Sequence, residues 1–137
     1  MTRKRKVAEP RAERVPMFTE LASTDPATTR SFLEKVFGWS FASTKMPMGE
    51  YLSYRTPTGG QGGVRPTRGT EAPTSMSYVR VPDLDAALQK IRRAGGDIVL
   101  PRVDVPGMGS FFWFRIPSGP MMACWQDAPS LPEEESR

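Results

Sequence analysis

Met48-Gly49-Glu50-Tyr51-Leu52-Ser53-Tyr54-Arg55-Thr56-Pro57-Thr58-Gly59 can be laid over Met108-Gly109-Ser110-Phe111-Phe112-Trp113-Phe114-Arg115-Ile116-Pro117-Ser118-Gly119 without a gap, at a shift of 60 residues. Met, Gly, Arg, Pro and the final Gly are identical, and Tyr51/Phe111 and Tyr54/Phe114 keep a ring. Earlier in each half the shift is 58, with Leu33 matching Ile91 and Gly38 matching Gly96. Self-similarity at a fixed spacing marks one supersecondary unit used twice.

Both halves follow the same grammar. Met17–Thr24 reads as a strand, and Asp25-Pro26 then supplies a helix cap and a first-turn proline. The helix that follows carries an apolar stripe at Phe32, Leu33, Val36 and Phe37 and ends at Gly38. In the second half Ser75–Val81 is the strand and Asp83 the cap. Leu84, Ala87, Leu88 and Ile91 form that stripe, which Gly95-Gly96 closes. Three strands follow each helix: Trp39–Lys45, Glu50–Thr56 and Gly62–Pro66, then Asp97–Val103, Ser110–Ile116 and Met121–Gln126. Turn signals separate them. The expected fold is α+β, two βαβββ modules (17–66 and 75–126, linker 67–74) curling into a half-open barrel with a central cleft. The glycines of Gly59-Gly60-Gln61-Gly62-Gly63 read as a loop entering a strand that leaves the cleft floor open.

The chain of 137 residues fits one domain. Its net charge of +4 lies entirely in residues 1–16, where six cations face two carboxylates. The body is therefore neutral, and the basic stretch reads as a solvated tail rather than a nucleic-acid face, since no aromatic residues interleave with it. Residues 127–137 read as an acidic tail. No apolar run suits a secretory leader or a membrane span. The single cysteine, Cys124, excludes an internal disulfide and points to the cytoplasm. With no histidine anywhere, Ser–His and Cys–His nucleophile pairs are excluded.

These features resemble the glyoxalase/bleomycin-resistance/extradiol-dioxygenase superfamily, the vicinal oxygen chelate proteins. The resemblance rests on Phe18-Thr19-Glu20-Leu21 with Asp25-Pro26, on Phe32-Leu33-Glu34-Lys35-Val36-Phe37-Gly38-Trp39, on Tyr78-Val79-Arg80-Val81-Pro82-Asp83-Leu84-Asp85-Ala86-Ala87, on Val105-Pro106-Gly107-Met108-Gly109, and on Ile116-Pro117-Ser118-Gly119. It spans residues 17–126. Metal-dependent members hold one divalent ion with four His or Glu side chains on the first and last strands of each half. Carried over, those positions fall on Phe18, near Gly63, on Met76 and on Ala123. Met76 offers only a thioether, which suits soft ions, and the other three offer no ligand. The resemblance therefore implies a member with no metal and no cofactor, Cys124 facing away from the site.

Strand alternation makes Phe18, Glu20, Met76, Tyr78, Arg80, Phe111, Trp113, Ala123 and Trp125 the candidate cleft lining. Aromatic walls with a few polar groups suit a planar or apolar ligand. A Glu20–Arg80 pair could orient that ligand or serve as a plain salt bridge. Three functions compete. One is metal-independent binding of a small, partly aromatic molecule by a homodimer, as in the bleomycin-resistance proteins. The second is an enzyme of the superfamily, lyase or dioxygenase in type, that is metal-free or uses shifted ligands such as Glu20 and Glu50. The third is a regulatory protein that docks through its basic tail.

Overall fold

The computed structural model describes residues 15–46 and 49–129. The expected tails lie largely outside that range, as do Pro47 and Met48 of the first hairpin turn. The elements run β1 (Met17–Ser23), α1 (Pro26–Phe37), β2 (Ser40–Met46), β3 (Gly49–Arg55), β4 (Gln61–Pro66), β5 (Thr74–Arg80), α2 (Leu84–Arg93), β6 (Asp97–Val105), β7 (Gly109–Arg115) and β8 (Met121–Asp127). The class is α+β, with βαβββ written twice. Asp127, expected in the acidic tail, is instead the last residue of β8.

The caps explain where the helices begin. The Asp25 carboxylate accepts from the Thr28 amide at 3.2 Å and from the Thr28 hydroxyl at 2.7 Å. That hydroxyl bond, first among its contacts, lowers the Asp25 pKa. Asp83 does the same for the Ala86 amide at 3.1 Å. Gly38, left-handed at φ 71°, closes α1, where a side chain would be strained.

The chain divides into two compact units, one up to Ser77 and one from Tyr78 onward. In the first the strand order is β2-β3-β4-β1, in the second β5-β8-β7-β6. The two registers coincide. Glu20 pairs in parallel with Gly63, and Tyr78, 58 residues on, pairs in parallel with Ala123, 60 residues on. Ser53 opposes Gly63 as Trp113 opposes Ala123.

Each unit has its own core under its helix. In the first, Leu52, Tyr54 and Val64 are buried, with Leu21, Trp39 and Phe41 packed against them. In the second, Leu84, Phe112 and Cys124 are buried beneath Ala87, Leu88 and Ile91 of α2. The α1 stripe departs from expectation. Only Leu33 is buried, while Phe32, Val36 and Phe37 are 57%, 52% and 54% exposed. A period of 3.6 identifies one helix face but does not say how much of it the sheet covers.

Candidate functional site

Residues paired across strands point to the same side of a sheet. In the second unit Tyr78 is in register with Ala123, Arg80 with Trp125, Phe111 with Trp125 and Trp113 with Ala123. All six therefore share one face, while Phe112 and Cys124 between them point under α2. Tyr78 and Phe111 meet edge to face at 5.9 Å, and Phe111 lies nearly parallel to Trp125 at 6.2 Å. The Trp113 indole donates to the Tyr78 hydroxyl at 3.0 Å, which fixes both rings. Trp125 donates its Nε1 proton to Asp127 Oδ1 at 2.8 Å. Arg80 Nη1 lies 3.8 Å from the same oxygen, so a charged pair closes one end of an otherwise aromatic face.

The same register positions in the first unit carry different chemistry. Glu20, Tyr51, Ser53, Gly63 and Arg65 stand where the second unit has Tyr78, Phe111, Trp113, Ala123 and Trp125. Arg65 donates through Nε to Glu20 at 3.0 Å and through both terminal nitrogens to Glu71 at 2.8 and 2.7 Å. The Arg65 and Glu20 side chains are only 10% and 11% exposed. A guanidinium between two carboxylates holds its proton above the ordinary arginine range, and its hydrogen bonds lower the Glu71 pKa. The Tyr51 hydroxyl donates to the other Glu20 oxygen at 3.1 Å.

Tyr51 also settles the role of Gly63. A methyl group built on Gly63 would overlap the Tyr51 phenol, because that ring lies across the bare backbone of β4. The glycine does not leave an open floor; it makes room for a ring. Glu20 and Arg80 each find a partner within their own unit, Arg65 and Asp127 respectively. Neither Arg65 nor Tyr51 was among the expected site residues. The repeat could have flagged both, since their counterparts are Trp125 and Phe111.

The residues do not fit a divalent ion. Phe18 shares the Glu20 face by alternation, Met76 shares the Tyr78 face, and neither offers an oxygen or imidazole ligand. The side-chain space of Gly63 belongs to Tyr51, and Ala123 is fully buried. Among the described residues no three His, Cys, Asp or Glu side chains come together as a metal site. Glu50, considered as a shifted ligand with Glu20, is excluded from that role by alternation. It lies on the Leu52 side of β3 and accepts a hydrogen bond from Ser43, whereas Tyr51 and Glu20 occupy the other face. Cys124 sits away from the aromatic face, and burial pushes its thiol up to about 11. No helix among the described residues is long and apolar enough to cross a membrane.

Comparison with known proteins agrees with this architecture. CFP32 of Mycobacterium tuberculosis, named for a proposed glyoxylase activity, is 26% identical over 117 residues, covering 81% of this chain and 45% of the relative. The anthracycline biosynthesis protein DauV of Streptomyces sp. (strain C5) is 26% identical over 127 residues, covering 81% and 46%. The chain thus spans about half the length of these relatives. Methylmalonyl-CoA epimerase from Mycobacterium tuberculosis superposes with a TM-score of 0.67 at 12% identity, covering 92% of this chain and 99% of that one, which speaks to the fold alone. Residues 16–122 match the Glyoxalase/Bleomycin resistance protein/Dioxygenase superfamily, and the chain belongs to that superfamily.

Proposed function

We propose that this chain binds a small planar aromatic molecule against the ring face of its second unit, with no metal in the site. The observation that carries the reading is the pinned set of Tyr78, Phe111, Trp113 and Trp125 on one sheet face, ending in the Arg80–Asp127 pair. Rings held by hydrogen bonds give stacking surface without the entropy of ordering them on binding. Arg80 and Asp127 would orient a ligand's polar edge. The relative DauV is named for the biosynthesis of anthracyclines, whose fused planar rings are the kind of surface such a face accepts. We include in the proposal a homodimer and a cytoplasmic setting, in keeping with the single buried thiol; sedimentation of the purified chain tests the first.

The test combines metal analysis with thermal melting against a panel of fused-ring aromatics. The expected result is well below one metal per chain together with a ligand-dependent rise in melting temperature that Trp125→Ala removes. One metal per chain, or no member of the panel raising the melting temperature, overturns the proposal.

A second reading, an enzyme of the superfamily acting without a metal, is favoured by one contact. The Tyr51 hydroxyl on the Glu20 carboxylate is a phenol–carboxylate pair of the kind that handles protons. Turnover of a bound molecule that Tyr51→Phe abolishes, binding being retained, would establish it. Binding without turnover in both proteins would leave the first reading.

A further inference from the structure

The helix-bearing face of the first unit has a depression that the proposed function does not use. Thr19 and Tyr54 are both in register with Gly62, so they point away from Glu20 and Gly63. A cavity of about 290 Å³ opens beside them, walled by Met17, Thr19, Trp39, Tyr54, Thr56 and Gln61, and every residue lining it belongs to the first compact unit. Its volume is near the lower end, roughly 300 Å³, of small-molecule sites.

The chemistry of the lining is selective. Trp39 stacks on Tyr54 at 4.5 Å and 26°, giving a flat aromatic wall. The Tyr54 hydroxyl is committed to the Thr19 carbonyl at 3.1 Å, and burial raises its pKa, so the phenol is neutral. The remaining polar groups are threonine, serine and glutamine, with no carboxylate, ammonium or guanidinium among the lining side chains. An ionised ligand would lose water there and gain no counter-charge.

The repeat shows that this wall is not demanded by the fold. The position 58 residues after Trp39 is Asp97, at the exposed start of β6. The second unit therefore closes the same turn without an indole. Phe37, itself exposed, lies 5.9 Å from Trp39 and extends the apolar rim.

We infer that the Trp39–Tyr54 depression is a second binding site, on the face opposite Glu20 and Gly63, that takes an uncharged planar aromatic ring. Indole and indole-3-carboxylate, which share a ring and differ in charge, are the probes. They are titrated into isotope-labelled protein and read by amide and indole N–H correlation spectra. The expected result is saturable shifts at Thr19, Gln61 and the Trp39 side chain with indole, and binding of the carboxylate weaker by about tenfold or more. Trp39→Leu weakens indole by about tenfold. Because Trp39 also touches the core, Met17→Ala is the second variant; Met17 is half exposed, and its truncation weakens indole without lowering the melting temperature. Trp125→Ala leaves these shifts in place, which separates this site from the ring face of the second unit. Absence of saturable shifts at Thr19 and Trp39, equal affinity for the carboxylate, or shifts confined to residues 78–127 would overturn the inference.

Discussion

Gly63→Ala tests the packing of the first unit most directly. The backbone at Gly63 lies outside the left-handed region, so alanine meets no conformational strain, and replacing a glycine stabilises by about 0.5–1 kcal/mol where space allows. Space is absent, because the new methyl would overlap the Tyr51 phenol. Tyr51 must swing off β4 and give up its bond to Glu20, whose carboxylate is 11% exposed. Losing a hydrogen bond to a charged, largely buried group costs about 1.5–3 kcal/mol, and the displaced ring loses packing worth about 1 kcal/mol more. Set against the glycine gain, the net destabilisation is about 2 kcal/mol. Urea unfolding measures it as a lower midpoint at unchanged slope. In a Tyr51→Ala background the clash is gone, and the same Gly63→Ala change becomes neutral or slightly stabilising. A cost below about 0.5 kcal/mol in the natural background, or an equal cost in both, refutes the reasoning.

Glu71 is held below its ordinary pKa of 4.5 chiefly by the Arg65 hydrogen bonds, so its contribution is complete above that value and is lost as pH falls through the folded pKa. Glu71→Gln should therefore flatten the acid side of the stability profile, as followed by circular dichroism. Cys124 titrates in the opposite sense. Its folded pKa of about 11 exceeds the unfolded 9.0, so stability is retained below pH 9 and falls as pH rises to 11. That loss amounts to about 2–3 kcal/mol, is absent in Cys124→Ala, and is accompanied by slow alkylation of the native thiol at pH 8. Phe32→Lys, which copies Lys90 of the second helix onto an exposed position of α1, should change stability by less than about 0.5 kcal/mol in thermal melts.

The repeat made much of the fold legible. Laying Tyr51 over Phe111 and Gly38 over Gly96 places every strand to within a residue or two at its ends. It also anticipates that Glu20 meets Gly63 as Tyr78 meets Ala123. Asp25 and Asp83 announce the helix starts because capping is local chemistry. What stayed hidden depends on neighbours distant in sequence. Arg65, between Val64 and Pro66, reads as a solvated charge, because its partners lie 45 residues before it and six after. Gly63 reads as open space, because nothing local says that a tyrosine twelve residues earlier will lie across it. The α1 stripe misleads for the converse reason, since periodicity is intrinsic to the helix whereas its burial is set by the sheet.

The Arg65 bridge bears on how the chain could be dissected. Residues 67–73 look like a spacer that could be cut anywhere, yet Glu71 supplies two of the three carboxylate bonds to Arg65 and also accepts from the Arg68 amide. A first-half fragment stopped at Pro66 would strand a guanidinium with half its countercharge, and one carried through Pro73 would keep the set whole. The natural seam for separating the two halves therefore lies at the far end of the crossover, after the segment has already been claimed by the strand it leaves.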